Sequence, residues 1–212
     1  MNDPGFTNLL KWGVENSDVS RKDSNAQPNQ NQSLNSEALA ALFGNRPSDA
    51  ELMEEFMDSV EDETLELKKR LIAFDNFEQL IEGIDNANNM EPLRLWGRLV
   101  EQLGKKEAEF RTYAAWCCAI AVQNNVKAQE RLLLSGAIPT LVRLAIEDTH
   151  YSVRKKAILA LSSAIRNYQP ALDEAIASMP KEHTVDQKLD AADMDSVNIL
   201  IQRLRDHSER LG

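Results

Sequence analysis

Cysteine is nearly absent from this 212-residue sequence: the two present, Cys117 and Cys118, are adjacent. Neighbours on a helix point about 100° apart, so they cannot bridge each other without distortion. Nothing at metal-ligand spacing surrounds them. They read as two small thiols in a helical core, in a reducing compartment. Glycine is scarce, at eight residues, and builds no phosphate-cradling loop. The three histidines, His150, His183 and His207, are far apart in sequence and read as solvated side chains rather than bases. No Ser-His-Asp arrangement and no His/Glu metal motif is present. No apolar run reaches transmembrane length, and no secretory leader pattern opens the chain. Strand-like alternation is missing throughout. These absences point away from an enzyme, a metal or cofactor protein and a membrane protein. The expected location is the cytoplasm.

Charge is present in excess but unevenly. The net charge is −10, which disfavours nucleic-acid binding overall. Between Leu93 and Asn167, however, 12 Lys and Arg stand against 6 Asp and Glu, leaving 12 basic and 28 acidic residues elsewhere. The locally basic stretch reads either as scattered surface lysines or as a face for an acidic protein partner. Between Asp49 and Glu66 there are nine acids and no base, a pattern usual for a solvated helix face.

One pattern occurs twice. Phe110-Arg111-Thr112-Tyr113-Ala114 leads through Trp116 and Cys117 to Gln123-Asn124, and 43 residues later Val153-Arg154-Lys155-Lys156-Ala157 leads through Leu159 to Arg166-Asn167. Each copy has an apolar residue, an Arg, two longer side chains, an Ala, then a mostly apolar run ending in Asn. That period falls in the armadillo/HEAT range. The fold class expected is all-α: a right-handed, armadillo-like helical solenoid with a short array and a flexible N-terminal extension. Such arrays offer a curved binding face rather than a catalytic pocket.

The rest of the chain fills in around the repeats. Phe6, Leu9, Leu10 and Gly13 have helical spacing, giving an amphipathic N-terminal segment over 1–16. Residues 17–35 are Ser, Asn, Gln, Asp and Lys with almost nothing apolar, a composition that reads as a disordered linker. Residues 36–104 form the helical N-terminal part of the solenoid. A helix capped by Asn35/Ser36 runs to Phe43 and stops at Gly44. Another opens at Pro47-Ser48-Asp49. A third packs Leu65, Leu67, Leu71, Ile72, Phe74, Leu80 and Ile81. A fourth, capped by Asn88/Asn89, carries Leu93, Leu95, Trp96, Leu99, Val100 and Leu103 to Gly104. Residues 105–168 hold the two repeat cores, with a helix–turn–helix signal at Ser135-Gly136-Ala137-Ile138-Pro139. Residues 169–212 form C-terminal helices, the last carrying Val197, Leu200, Ile201 and Leu204 as a cap on the stack.

Four stretches together resemble a family. They are Leu9-Leu10-Lys11-Trp12-Gly13-Val14-Glu15-Asn16-Ser17; Leu71-Ile72-Ala73-Phe74-Asp75-Asn76-Phe77-Glu78 running on to Asp85–Asn89; Ala114-Ala115-Trp116 through Ala121-Val122-Gln123-Asn124-Asn125, with Gln129; and Lys156-Ala157 through Ala160-Leu161-Ser162 to Ile165-Arg166-Asn167. They resemble the armadillo-type nucleotide exchange factors of the heat-shock protein 70 chaperones, namely the fungal exchange factors and the animal heat-shock-70-binding protein. The resemblance implies a monomeric cytosolic co-chaperone. Its concave armadillo face would grip one lobe of the chaperone's nucleotide-binding domain and accelerate ADP release. Its N-terminal part would act at the substrate-binding domain. One departure is visible: longer relatives carry further full repeats, whereas after Asn167 only about 45 residues remain, without a third clear copy.

Two other readings compete. A peptide-binding armadillo adaptor or scaffold uses paired Trp and Asn ladders; here Trp116 is followed one turn later by Ile120, and the second copy has Leu159 and Ser163, so that ladder is broken. A nucleic-acid-binding solenoid needs a concentrated basic and aromatic stripe, against the net charge. By helical spacing Tyr113, Trp116, Ile120 and Gln123 share one stripe, and Lys156, Leu159, Ser163 and Arg166 share its counterpart. These residues, Leu159 apart, are the candidate partner contacts. Arg111 and Arg154 read as structural within their repeats.

Overall fold

The computed structural model describes residues 47–184 and 189–212. The N-terminal expectations (the 1–16 segment, the 17–35 linker and the helix ending at Phe43) lie outside the described residues. Asp49–Gly212 forms one compact unit. Among the described residues it is all-helical: α1 (Asp49–Glu61), α2 (Leu67–Ile81), α3 (Ile84–Asn89), α4 (Leu95–Gln102), α5 (Ala108–Ala121), α6 (Val126–Leu134), α7 (Ala137–Glu147), α8 (Tyr151–Ile165), α9 (Gln169–Ser178), a 3-10 turn at Lys181–His183, and α10 (Met194–Arg210). Two three-helix units, α3–α4–α5 and α6–α7–α8, are stacked so that α2, α5 and α8 lie side by side.

Asparagine and glycine end the helices where the repeat pattern places them. Asn124 and Asn167 have φ of 53° and 56°, the left-handed conformation that Asn tolerates better than most residues. Gly136 occupies the same region at φ 72° between α6 and α7. Asn125 then caps α6, its side chain accepting from the Ala128 amide at 3.3 Å. Buried Gln129 directs Nε2 at three carbonyls, Ser163 (2.9 Å), Ala164 (3.1 Å) and Arg166 (2.9 Å). One amide thus satisfies orphan acceptors at the C-terminal end of α8.

The two repeat arginines are equivalent and structural. Arg111 Nη1 donates to the Lys105 carbonyl at 2.8 Å, six residues back. Arg154 Nη1 donates to the Asp148 carbonyl at 2.9 Å, also six back. Arg111 further pairs with Asp148 through Nε (2.7 Å) and Nη2 (3.1 Å). Burial raises the Asp148 pKa, but the Arg111 hydrogen bonds, the His150 amide and the nearby positive charges outweigh it, so the net shift is downward. A carboxyl group lowered on folding adds stability that is complete above its unfolded pKa, about 4, and is lost as pH falls through the folded value. Urea stability should therefore drop below about pH 4 more steeply in wild type than in Asp148→Asn. Identical acid limbs in the two proteins would contradict the pairing.

The C-terminal region closes the stack without continuing it. Arg154, near the start of α8, bonds Ser208 near the end of α10, whereas Arg166, just past the end of α8, bonds Asn198 near the start of α10. So α10 runs antiparallel to α8. Val197, Leu200, Ile201 and Leu204 of α10 are all buried.

Three expectations are corrected. Leu67 and Ile72 do not pack inward; they are 44% and 52% exposed, and Phe77 fills the core in their place. The helix expected from Asn88/Asn89 starts instead at Leu95, because Ile84–Asn89 forms its own short helix and Arg94 breaks the chain at φ 56°. His183 and His207 are not isolated solvated side chains: their rings meet edge to face at 4.4 Å, His183 is 6% exposed, and His207 bonds the Ile146 carbonyl. The acidic run is largely exposed, as read from the sequence, and Arg98 of α4 bonds Asp58 (2.7 Å) and Glu61 (3.0 Å) of α1 from its side.

Candidate protein-interaction face

The side-by-side helices build a face from repeated rungs. Tyr113 of α5 stacks on Phe74 of α2 at 5.6 Å, and its hydroxyl donates to Asp75 Oδ1 at 3.3 Å. Trp116, one turn along, lies 5.9 Å from Tyr113 at a 24° tilt. Lys156 of α8 places Nζ 3.3 Å from the Trp116 ring centroid. A cation over an indole is held by the ring quadrupole. The aromatic ladder therefore crosses three helices and ends on an ammonium.

Beneath it, Glu78 of α2 is 3% exposed, and its Oε1 has no hydrogen-bond partner among the described residues. Burial raises its pKa, and neighbouring Glu82 and Asp75 raise it further, against the pull of Lys156. Burial conversely lowers the pKa of Lys156, opposed by Glu78. Behind the ladder Cys117 and Cys118 are both free and buried, as expected from their neighbours. Burial pushes the Cys117 thiol well up and the Cys118 thiol to about 12, so both stay protonated and unreactive.

Of the sequence candidates, Tyr113, Trp116 and Lys156 come together in this ladder. Ile120 is half-buried and packs on the core one turn further along α5. Ser163 is half-buried on α8, its carbonyl taken by Gln129. Gln123 is exposed beyond the end of α5. Arg166 does not extend the Lys156 stripe. It lies past the end of α8 in extended backbone, and its guanidinium is held by Ser162, Met194 and Asn198. Asp75 and Glu78 were missed as face residues. They sit inside the quoted α2 motif, but the burial of Glu78 depends on helices packed against α2 from elsewhere in the sequence, α5 foremost.

Among the described residues no group of three or more His, Cys, Asp or Glu is placed to hold a metal ion, and no helix is long and apolar enough to cross a membrane. Residues 6–90 match the family model described as nucleotide exchange factor Fes1, and residues 86–178 match the SIL1/FES1/HPBP1 C-terminal domain. Proteins named Hsp70 nucleotide exchange factor FES1 are 48% identical in both Coccidioides immitis and Gibberella zeae; the alignments cover 96% and 100% of this chain, and 98% and 99% of those proteins.

The chain belongs to the Fes1 family of nucleotide exchange factors.

The Fes1 matches meet at residues 86–90, within α3 and its end, where the first complete three-helix unit begins. A like-named Fes1 protein of Schizosaccharomyces pombe is 38% identical over 68% of this chain but only 49% of its own length. Fes1 relatives thus include proteins both of this length and about 1.4 times as long. Among solved structures, a crystal structure of an engineered protein aligns over 82% of this chain and 68% of its own, with a TM-score of 0.57 and 19% identity. That likeness speaks for the helical repeat fold alone.

Proposed function

We propose that this chain is a co-chaperone that binds the nucleotide-binding domain of an Hsp70 chaperone and accelerates ADP release, with the α2–α5–α8 face as the gripping surface. The observation that carries the reading is the half-buried Tyr113–Trp116–Lys156 ladder across α5 and α8, within a chain whose relatives bear the exchange-factor name. Aromatic side chains flanked by charge are the usual anchors of a protein interface. Ile120, Gln123, Ser163 and Arg166 extend the contact region towards the C-terminal ends of α5 and α8.

Exchange needs no chemical step from the factor. A protein that binds the nucleotide-loose conformation better than the nucleotide-tight one shifts the population towards release. Residues 1–16 and 17–35 would act at the chaperone's substrate-binding domain, residues 36–168 would form the gripping array, and residues 169–212 would close it. The factor would work as a cytoplasmic monomer. Labelled ADP should leave a cytosolic Hsp70 faster in the presence of the purified chain. Unchanged release at saturating chain, with helicity verified by circular dichroism, would sink the proposal.

A further inference from the structure

The rungs follow a register that stops one step early. Tyr113 and Lys156 are 43 residues apart and occupy the same repeat position, as do Trp116 and Leu159. On α5 the first of these positions bonds Asp75 of the preceding helix; on α8 it covers Trp116 of the preceding helix. A further repeat would cover Leu159 in the same way. Instead α10 runs antiparallel, and Leu159 stays 38% exposed, as does Tyr151 at 44%. Between α8 and α10 a groove of about 360 Å³ is left, lined by Tyr151, Lys155, Leu159, Arg205 and Glu209 among others.

The charge around the groove indicates what fills it. Lys155, Lys156 and Arg205 face Glu209 alone among acids. Lys155 and Arg205 are exposed, and neither is in an ion pair among the described residues. An apolar floor under a basic rim suits an acidic segment carrying one apolar side chain.

We propose that this groove is the second anchor of the complex: an acidic segment of the Hsp70 nucleotide-binding domain seats one apolar side chain against Leu159 and Tyr151, flanked by Lys155 and Arg205. The inference rests on the exchange-factor reading above. It gives the face a direction, because the aromatic ladder and the basic groove then meet different parts of the partner.

The test compares wild type, Lys155→Glu/Arg205→Glu, Lys155→Gln/Arg205→Gln and Leu159→Ser for binding to the isolated nucleotide-binding domain. All the substituted residues are exposed, and thermal melts check folding. The glutamate pair should weaken binding on the order of tenfold at low salt, and the gap should shrink at high salt. The glutamine pair should fall between the glutamate pair and wild type. Leu159→Ser should weaken binding with little salt dependence. Folded variants that bind like wild type, from a wild type that does accelerate ADP release, would overturn the groove and leave the exchange-factor reading intact. A wild type that neither binds nor accelerates release would overturn both. A wild-type dimer dissolved by the glutamate pair would assign the groove to a second copy and overturn the proposal.

Discussion

Trp116→Ala should leave the protein folded but weaken Hsp70 binding roughly thirtyfold, on the order of 2 kcal/mol, the scale of an interfacial tryptophan anchor. The indole does two things at once. It offers its face to the Lys156 ammonium at 3.3 Å, and it stacks against Tyr113, whose hydroxyl is tied to Asp75. Truncation removes both the ring that a partner would cover and the platform that holds Lys156 in place. The stability cost should be about 2 kcal/mol, below the roughly 3–5 kcal/mol of a fully buried ring, because Trp116 is half-buried. Trp116→Phe should retain part of the affinity and Lys156→Met part of it as well, since each keeps one half of the pair. Calorimetric titration against the nucleotide-binding domain separates these outcomes. A folded Trp116→Ala protein with wild-type affinity would remove the ladder from the contact surface.

Arg154→Leu should cost about 3 kcal/mol of stability, the scale set by breaking charge-assisted hydrogen bonds to buried acceptors. Arg154 is 1% exposed and pairs with no Asp or Glu side chain among the described residues. Its charge is met by helix ends instead. The Asp148 carbonyl closes α7, while the Ser208 carbonyl and the Gly212 carbonyl lie at the end of α10. Two helix C-termini, each with partial negative charge and orphan acceptors, converge on one guanidinium. Leucine leaves those acceptors and the Ser208 hydroxyl without their donor. Loss should concentrate in α10, so amide exchange there should accelerate ahead of α5 and α8. Wild-type urea stability in Arg154→Leu would contradict the account.

The repeat cores were the most legible part of the sequence. The 43-residue period located α5 and α8, and the matched terminal asparagines coincided with left-handed residues, since the same local geometry must end the same helix twice. Pro139 after Gly136 was likewise a local signal, and α7 starts where it indicates. Elsewhere tertiary packing overrides spacing. Leu67 and Ile72 satisfy a helical apolar pattern, yet it is Ala73, Phe74, Phe77 and Ile81 that are buried, with Leu71 and Leu80 packed against them, because α5 lies to one side of α2. Arg166 looked like a free basic residue at helical distance from Lys156. In fact α8 ends at Ile165, and a helix that runs back over α8 captures its guanidinium. The reversal of α10 has no signature in its own amphipathic pattern, which reads the same in either direction. The His183–His207 contact and the burial of Glu78 also depend on residues distant in sequence, and no local pattern announces them.

The face is expected to prefer the nucleotide-loose chaperone. The direct measure of that preference is the affinity of the chain for the Hsp70 nucleotide-binding domain, determined without nucleotide and again with saturating ADP. Linkage requires ADP to weaken the chain's binding by the same factor by which the chain weakens ADP binding. The expected result is a clear loss of affinity on adding ADP, matched in size by the reciprocal experiment. Equal affinity with and without ADP would contradict the account, because a partner that binds both conformations alike cannot drive release.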